Sequence, residues 1–191
     1  PHDEDVRMSN TLIGDVSDTA YWIAHLRSVE TQRPDALFRD PLAGLLAGER
    51  GKDIANSMPH PYATRWAIVM RTYIIDAFIR QAIREGADAV LNLGAGLDTR
   101  PYRMDLPASL MWIEADYPHV IEYKQKRLSG EKPGCHLMRT KCDLADDTAR
   151  RLLLADANAR AKKLLVVTEG VVPYLSTEEV SSLAVDLRKL D

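Results

Sequence analysis

The stretch "VLNLGAGLDTRPYRMD", Val90 to Asp105, decides how the chain is read. An apolar run ends abruptly in Gly94, Ala95 and Gly96, then passes into Asp98, Thr99 and Arg100. Such a break is what a buried strand needs when it turns into a helix at the rim of an open parallel sheet, where ligands sit. Backbone N–H groups are exposed at that turn, and glycine lets a ligand approach without meeting a Cβ. A tight turn with no ligand would use the same residues, so the two glycines leave both readings open.

Working outward, the sequence after Asp88 alternates short apolar runs with helix-length segments. "AVLNLG", "LMWIEAD", "CHLMRTKCD" and "KLLVVTEG" read as strands. "YPHVIEYKQKRL" and "LADDTARRLLLADANARA" lie between them, and "STEEVSSL" opens a last helix with Ser176 and Glu179 at capping-box spacing. Strands separated by helical crossovers imply parallel pairing with helices on the faces. The fold class expected is α/β, a Rossmann-like doubly wound parallel sheet. Only four strands are visible, whereas an open sheet of this kind usually continues. The C-terminal strands are therefore expected to be missing, or supplied from outside the chain.

Before Asp88 the pattern is helical, broken by "RPDALFRDP" and by "ANSMPHPYAT". Asp18 can cap "TAYWIAHLRSVE", and Thr64 can cap the long segment ending at Gly86. In that segment Trp66, Met70, Tyr73, Ile74, Ala77, Phe78 and Gln81 recur at helical spacing, which predicts a buried face. Gly86 stands where a left-handed cap would close the helix. The organisation expected is a flexible N-terminus over 1–15, a helical cap and substrate-side region over 16–87, and a nucleoside-binding core over 88–191.

Composition narrows the function classes. The chain has 191 residues, a net charge of −3 and 46% hydrophobic residues, an ordinary globular balance. No stripe of Lys and Arg offers a footprint for nucleic acid. No apolar run approaches the ~20 residues of a membrane span. Cys135 and Cys142 match no zinc or redox spacing and fit free thiols in a cytoplasmic protein. No metal is expected.

The strand ends carry acids. Asp116 closes "WIEAD" about twenty residues past Gly96, the interval at which an acid can accept hydrogen bonds from ribose hydroxyls. It could equally cap the helix opened by Pro118. Asp143 and Leu144 close the third strand, where an acid could meet the exocyclic amine of a base and a leucine its ring; Asp143 could instead cap the next helix. Glu169 closes the fourth. A dinucleotide fingerprint wants glycine where Thr99 stands, and Asp98 in the loop would repel a pyrophosphate. Together these residues suit an adenosine with a cationic tail and no phosphate, the shape of S-adenosylmethionine (SAM). A nicotinamide oxidoreductase is disfavoured.

Taken together, "NLGAGLDTRPYR", "WIEADYPHVIEYKQKRL", "KCDL" and "VVTEGVVPYLSTEEV" resemble the leucine carboxyl methyltransferase family, and most closely its bacterial branch, common in actinobacteria. "VSDTAYWIAHLRSVETQRPDALFRDPLA" and "VMRTYIIDAFI" fit that branch too, so the resemblance runs from about Val16 onward. It implies that SAM is the cofactor and that Gly94 and Gly96 line its loop. It further implies that Asp116 holds the ribose, Asp143 and Leu144 meet the adenine, Glu169 follows the fourth strand, and Arg71 reaches the cofactor's carboxylate. Without the resemblance, Arg71 reads as a solvated helix arginine. The eukaryotic members place a cofactor-contacting lysine in the N-terminal helix; no lysine stands near "TAYWIAHL", and no residue is carried over.

The function expected is SAM-dependent O-methylation of a carboxylate or hydroxyl on a small molecule. The alternative is a binding or scaffold protein that keeps the nucleoside site without turnover. Arg100 or Arg103 could position an anionic acceptor, or could be surface arginines near a helix start. His119 and His136 are the nearest candidate bases in sequence, each readable as a surface or satisfied histidine. Tyr174 could line the acceptor side or simply pack. No catalytic base is assigned.

Overall fold

A computed structural model describes residues 16–58 and 61–190. The stretch 1–15, expected to be flexible, lies outside the described residues. Three helices come first: α1 (Val16–Thr31), α2 (Ala43–Ser57) and α3 (Pro61–Arg84). Strands and helices then alternate through β1 (Ala89–Leu93), α4 (Arg100–Arg103), β2 (Met111–Asp116), α5 (Pro118–Arg127), β3 (His136–Lys141), α6 (Asp147–Arg160) and β4 (Leu164–Thr168). A 3-10 turn at Val172–Tyr174 and α7 (Thr177–Leu187) follow. All four expected strands form, in the order β3-β2-β1-β4 and parallel throughout. That order places the switch point between β1 and β4, so the Gly94–Gly96 loop stands where an α/β sheet opens for a ligand.

Strand alternation distributes the core. Leu91, Leu93, Ile113 and Ala115 point to one face, under Leu153, Leu154 and Ala157 of α6 and Leu183 of α7. Val90 and Trp112 point to the other, under Ile79 of α3. Both faces of β1 and β2 are buried, as parallel strands require. On the α3 side the alternation also buries polar residues. Glu114 is fully enclosed between Lys124 Nζ at 2.7 Å and Arg139 Nε at 2.8 Å. A third cluster joins α1 to α2 and reaches Leu97 in the glycine loop, so the first two helices pack directly on the ligand side of the sheet.

The helix ends agree with the sequence in some places and depart from it in others. Ser176 and Glu179 make both bonds of the capping box. Gly86 has φ +96°, and its N–H and that of Ala87 bond the carbonyls of Ile83 and Ala82, closing α3 in the left-handed manner expected. Asp18, however, lies inside the first turn of α1 and not before it, buried and paired with Arg50. Thr64 also lies inside its helix, because α3 begins earlier, at Pro61. Pro is well suited to a first helical position.

The largest departure concerns the buried face of α3. Trp66 is 65% exposed and Phe78 63%; Tyr73, Ile74, Ala77 and Gln81 are exposed as well, and Met70 is half-buried. The buried side carries Ile68, Val69, Thr72, Asp76 and Ile79. Hydrophobic spacing misleads here because the inner face includes a fully buried carboxylate. Asp76 is tolerated there because arginines meet it.

Candidate functional site

Beyond the carboxyl ends of β1, β2 and β4 lies a cavity of about 250 Å³. Its floor is the β1–α4 loop. Gly94 has φ +65° and Gly96 φ +45°, conformations that suit glycine. A Cβ on Gly94 would stand 2.4 Å from Val171 Cγ2, so the loop can follow this path only without a side chain. The amides of Gly94 and Ala95 are both tied to the carbonyl of Ala115, which fixes the loop to β2.

Asp116 closes one side. Its Oδ2 accepts the Gly96 N–H at 2.6 Å and its Oδ1 the Tyr117 N–H at 2.7 Å. It therefore bridges the glycine loop and the start of α5, whose N-cap is Tyr117 without a side-chain cap. Burial raises its carboxyl above the ordinary aspartate value, and the two amide bonds oppose that rise. Leu144, Cys142 and Val171 supply an apolar wall. Asp143, between Cys142 and Leu144, is exposed and outside the lining, with Oδ1 accepting the Ala145 N–H. The next helix is capped by Asp146, not by Asp143.

Opposite Asp116 sits an array of ion pairs. Glu169 Oε1 accepts a hydrogen bond from Arg71 Nε at 2.9 Å, and its Oε2 lies in an ion pair 2.8 Å from Arg100 Nη1. Arg71 thus turns inward from α3 and lines the cavity. Arg100, 2% exposed, also bonds Asp76 Oδ1 through Nε at 2.7 Å and Asp98 Oδ2 through Nη1 at 2.9 Å. Burial works against its charge, but Asp98, Glu169 and Asp76 together raise its pKa. Asp98 shows the converse balance: burial pushes its carboxyl up, and Arg100, Lys124, Arg103 and Arg27 outweigh it, holding it well below the usual range. Asp98 therefore stays ionised in the cavity lining, with its charge countered by arginines behind it.

Of the remaining sequence candidates, Arg100 lines the cavity and others fall elsewhere. Arg100 and Arg103 are buried, not on the surface, and Arg103 gives both Nη atoms to Asp76 at 2.6 and 2.8 Å. His119 stacks on Tyr117 with ring centroids 5.8 Å apart, and His136 opens β3 at the far end of the sheet. Neither lines the cavity. Tyr174 does, and its hydroxyl bonds Thr19 Oγ1 at 2.9 Å, joining the turn after β4 to α1. Sequence reading missed the contribution of α1: Trp22, Ile23 and Arg27 line the cavity, and Arg27 Nη2 bonds the carbonyl of Leu97. The periodicity of α1 gave no signal of this, since its mixed residues define no single apolar stripe. Asn92 was also missed; its Nδ2 bonds Asp98 at 2.8 Å under the floor.

A family model of leucine carboxyl methyltransferase matches residues 20–187. The chain belongs to that family. A relative in Mycobacteroides abscessus, described as a putative S-adenosyl-L-methionine-dependent methyltransferase, is 32% identical over 186 residues, covering 90% of this chain and 61% of the relative. One so described in Mycobacterium avium is 35% identical, covering 85% and 57%. Another in Streptomyces coelicolor is 34% identical, covering 86% and 62%. The chain therefore spans about three-fifths of the length of these relatives. The fold is shared with a DUF574 family protein from Streptomyces avermitilis, with a TM-score of 0.55 at 15% identity over 88% of this chain and 64% of that one.

Proposed function

We propose that this member of the leucine carboxyl methyltransferase family binds SAM in the cavity and transfers its methyl group to an oxygen of a small-molecule acceptor. The observation that carries the reading is the pairing of chemistries across one cavity: Asp116 beside a bare-backbone loop at one side, Arg71 and Glu169 at the other. A carboxylate at the first suits ribose hydroxyls. A cation and an anion side by side at the second suit an amino-acid tail. Val171 fills the space where a Cβ on Gly94 would stand, so that glycine serves the packing of the loop, and the fit to the cofactor rests on Asp116, Arg71 and Glu169 lining one cavity.

In this reading Gly94, Gly96 and Asp116 hold the ribose side, and Leu144 and Val171 flank the adenine. Asp143, just outside the lining, would reach its amine from the rim, while Arg71 and Glu169 take the carboxylate and ammonium. The helices of 16–87 supply the acceptor side, with Trp22, Ile23 and Ile68 as an apolar wall. Bound SAM would supply a methyl on an electrophilic sulfonium. The chain's own contribution is alignment for in-line displacement and exclusion of water.

Among the described residues, no histidine lines the cavity. Asp98, Asp116 and Glu169 are each committed to donors, and burial raises the Cys142 thiol. An acceptor that is already anionic needs no proton removed. A carboxylate is therefore favoured over a hydroxyl. Titration with SAM followed by methyl transfer to matched carboxylate and phenolic acceptors tests this. Saturable binding with transfer to a carboxylate is expected; binding without transfer to any acceptor would favour the non-catalytic alternative.

A further inference from the structure

The ion pairs around Glu169 are unequal in a way that bears on how a ligand enters. Arg71 and Arg100 each hold one oxygen of the carboxylate. The Arg71 side chain is 34% exposed, whereas that of Arg100 is 2% exposed and backed by Asp76, which is fully buried. Arg71 is also lightly held. Its two Nη atoms lie beside Gly170, 3.8 and 3.9 Å from where a Cβ would stand, against bare backbone at φ +72°. A half-buried carboxylate deprived of every partner would be costly, but Glu169 has two.

Building on the cofactor reading above, we propose that the Arg71–Glu169 pair stands in the ligand-free site for the two charges of an amino-acid zwitterion, and that Asp76, acting through Arg100, holds Glu169 as the fixed half when Arg71 changes partner. The entering carboxylate takes the Arg71 guanidinium, and the entering ammonium takes the Glu169 oxygen that Arg71 releases. Charge is conserved in the exchange: one internal pair becomes two external ones. Arg100 remains on Oε2 throughout, so Glu169 is never stranded. Asp76 is a positioning residue in this scheme. It anchors Arg100 and Arg103 from α3, the same helix that carries Arg71, so the fixed and movable partners of Glu169 share one support.

The test compares two ligands that differ in the tail, S-adenosylhomocysteine, which has the zwitterion, and 5′-methylthioadenosine, which lacks it. Calorimetric affinities are measured for the wild-type chain, Arg71→Gln, Glu169→Gln, Asp76→Asn and the Asp76→Asn/Glu169→Gln double variant. Arg71→Gln is expected to weaken the homocysteine ligand tenfold or more and to leave methylthioadenosine within twofold. Asp76→Asn is expected to show the same selectivity, with little further loss in the double variant beyond Glu169→Gln alone. Equal weakening of both ligands by Asp76→Asn would make its role purely architectural and overturn its part. If Asp76→Asn does not fold, Arg71→Gln still decides the exchange: an unchanged affinity for the homocysteine ligand overturns it. A wild-type chain that binds both ligands equally keeps the cofactor reading and sinks the exchange, whereas one that binds neither sinks both.

Discussion

Asp116 illustrates how much one carboxylate does in this site. Each oxygen already accepts a backbone N–H and each retains acceptor capacity, on a residue that lines the cavity. Replacement by alanine should weaken SAM binding by about 1–3 kcal/mol, the scale for hydrogen bonds to a charged group, measured by calorimetry. An unchanged affinity would remove Asp116 from the ribose role. The raised pKa adds a pH signature. The ionised carboxylate can accept from hydroxyls, and as pH falls through its raised value the proton removes that capacity. Affinity should therefore decline on the acid side sooner than an ordinary aspartate would dictate, and Asp116→Asn should flatten this part of the profile. The place of Asp116 at the cavity was legible from its spacing after the glycine loop. Its bond to Gly96 was not, because pairing between β1 and β2 must be known before the two residues can be placed together.

At the scale of elements, the strands were readable and so was α3 as a helix, but the face that α3 buries was not. β1, β2, β3 and β4 are short apolar runs bounded by turn residues, and parallel pairing follows from the helices between them. In α3 the apolar residues define one stripe and the buried residues another. A pattern based on hydropathy cannot anticipate that Thr72 and Asp76 face inward, because the arginines that neutralise Asp76 come from α4, across the β1 crossover. The two assignments make opposite predictions. Ile79→Ala should cost about 2–5 kcal/mol in denaturant unfolding, as a buried aliphatic truncation does. Phe78→Ala, although it removes a larger side chain, should cost less than about 1 kcal/mol. The reverse ranking would restore the sequence-derived face. α7 was the opposite case: its capping box is local, so Ser176 and Glu179 revealed it without tertiary information.

Among the described residues, buried charge gathers under the cavity, around Glu114 and between α6 and α7. At the last of these, Asp186 accepts from Arg150, Lys189 and Arg151. Burial alone would raise its carboxyl, but these donors hold it down to about 2. Because the folded value lies below the unfolded one of about 3.9, its stabilisation is full above that pH and is lost as pH falls toward 2. Asp98 acts in the same direction. Acid unfolding should thus steepen below about pH 4, and Asp186→Asn should reduce the slope there; an unchanged slope would assign acid sensitivity to other groups. Such pairs were invisible in the sequence, since Arg150 and Asp186 meet only when α6 and α7 pack on the same sheet face. The class of fold and the rim at the strand ends were visible because both follow from the order of elements. No described helix is long and apolar enough to cross a membrane.

The central claim is that the cavity selects an adenosine with a zwitterionic tail over a dinucleotide. Side-by-side calorimetric titration of the chain with SAM and with NAD tests it most directly. Saturable one-to-one binding of SAM with no measurable heat from NAD is the predicted result; tight binding of NAD with none of SAM would contradict the account.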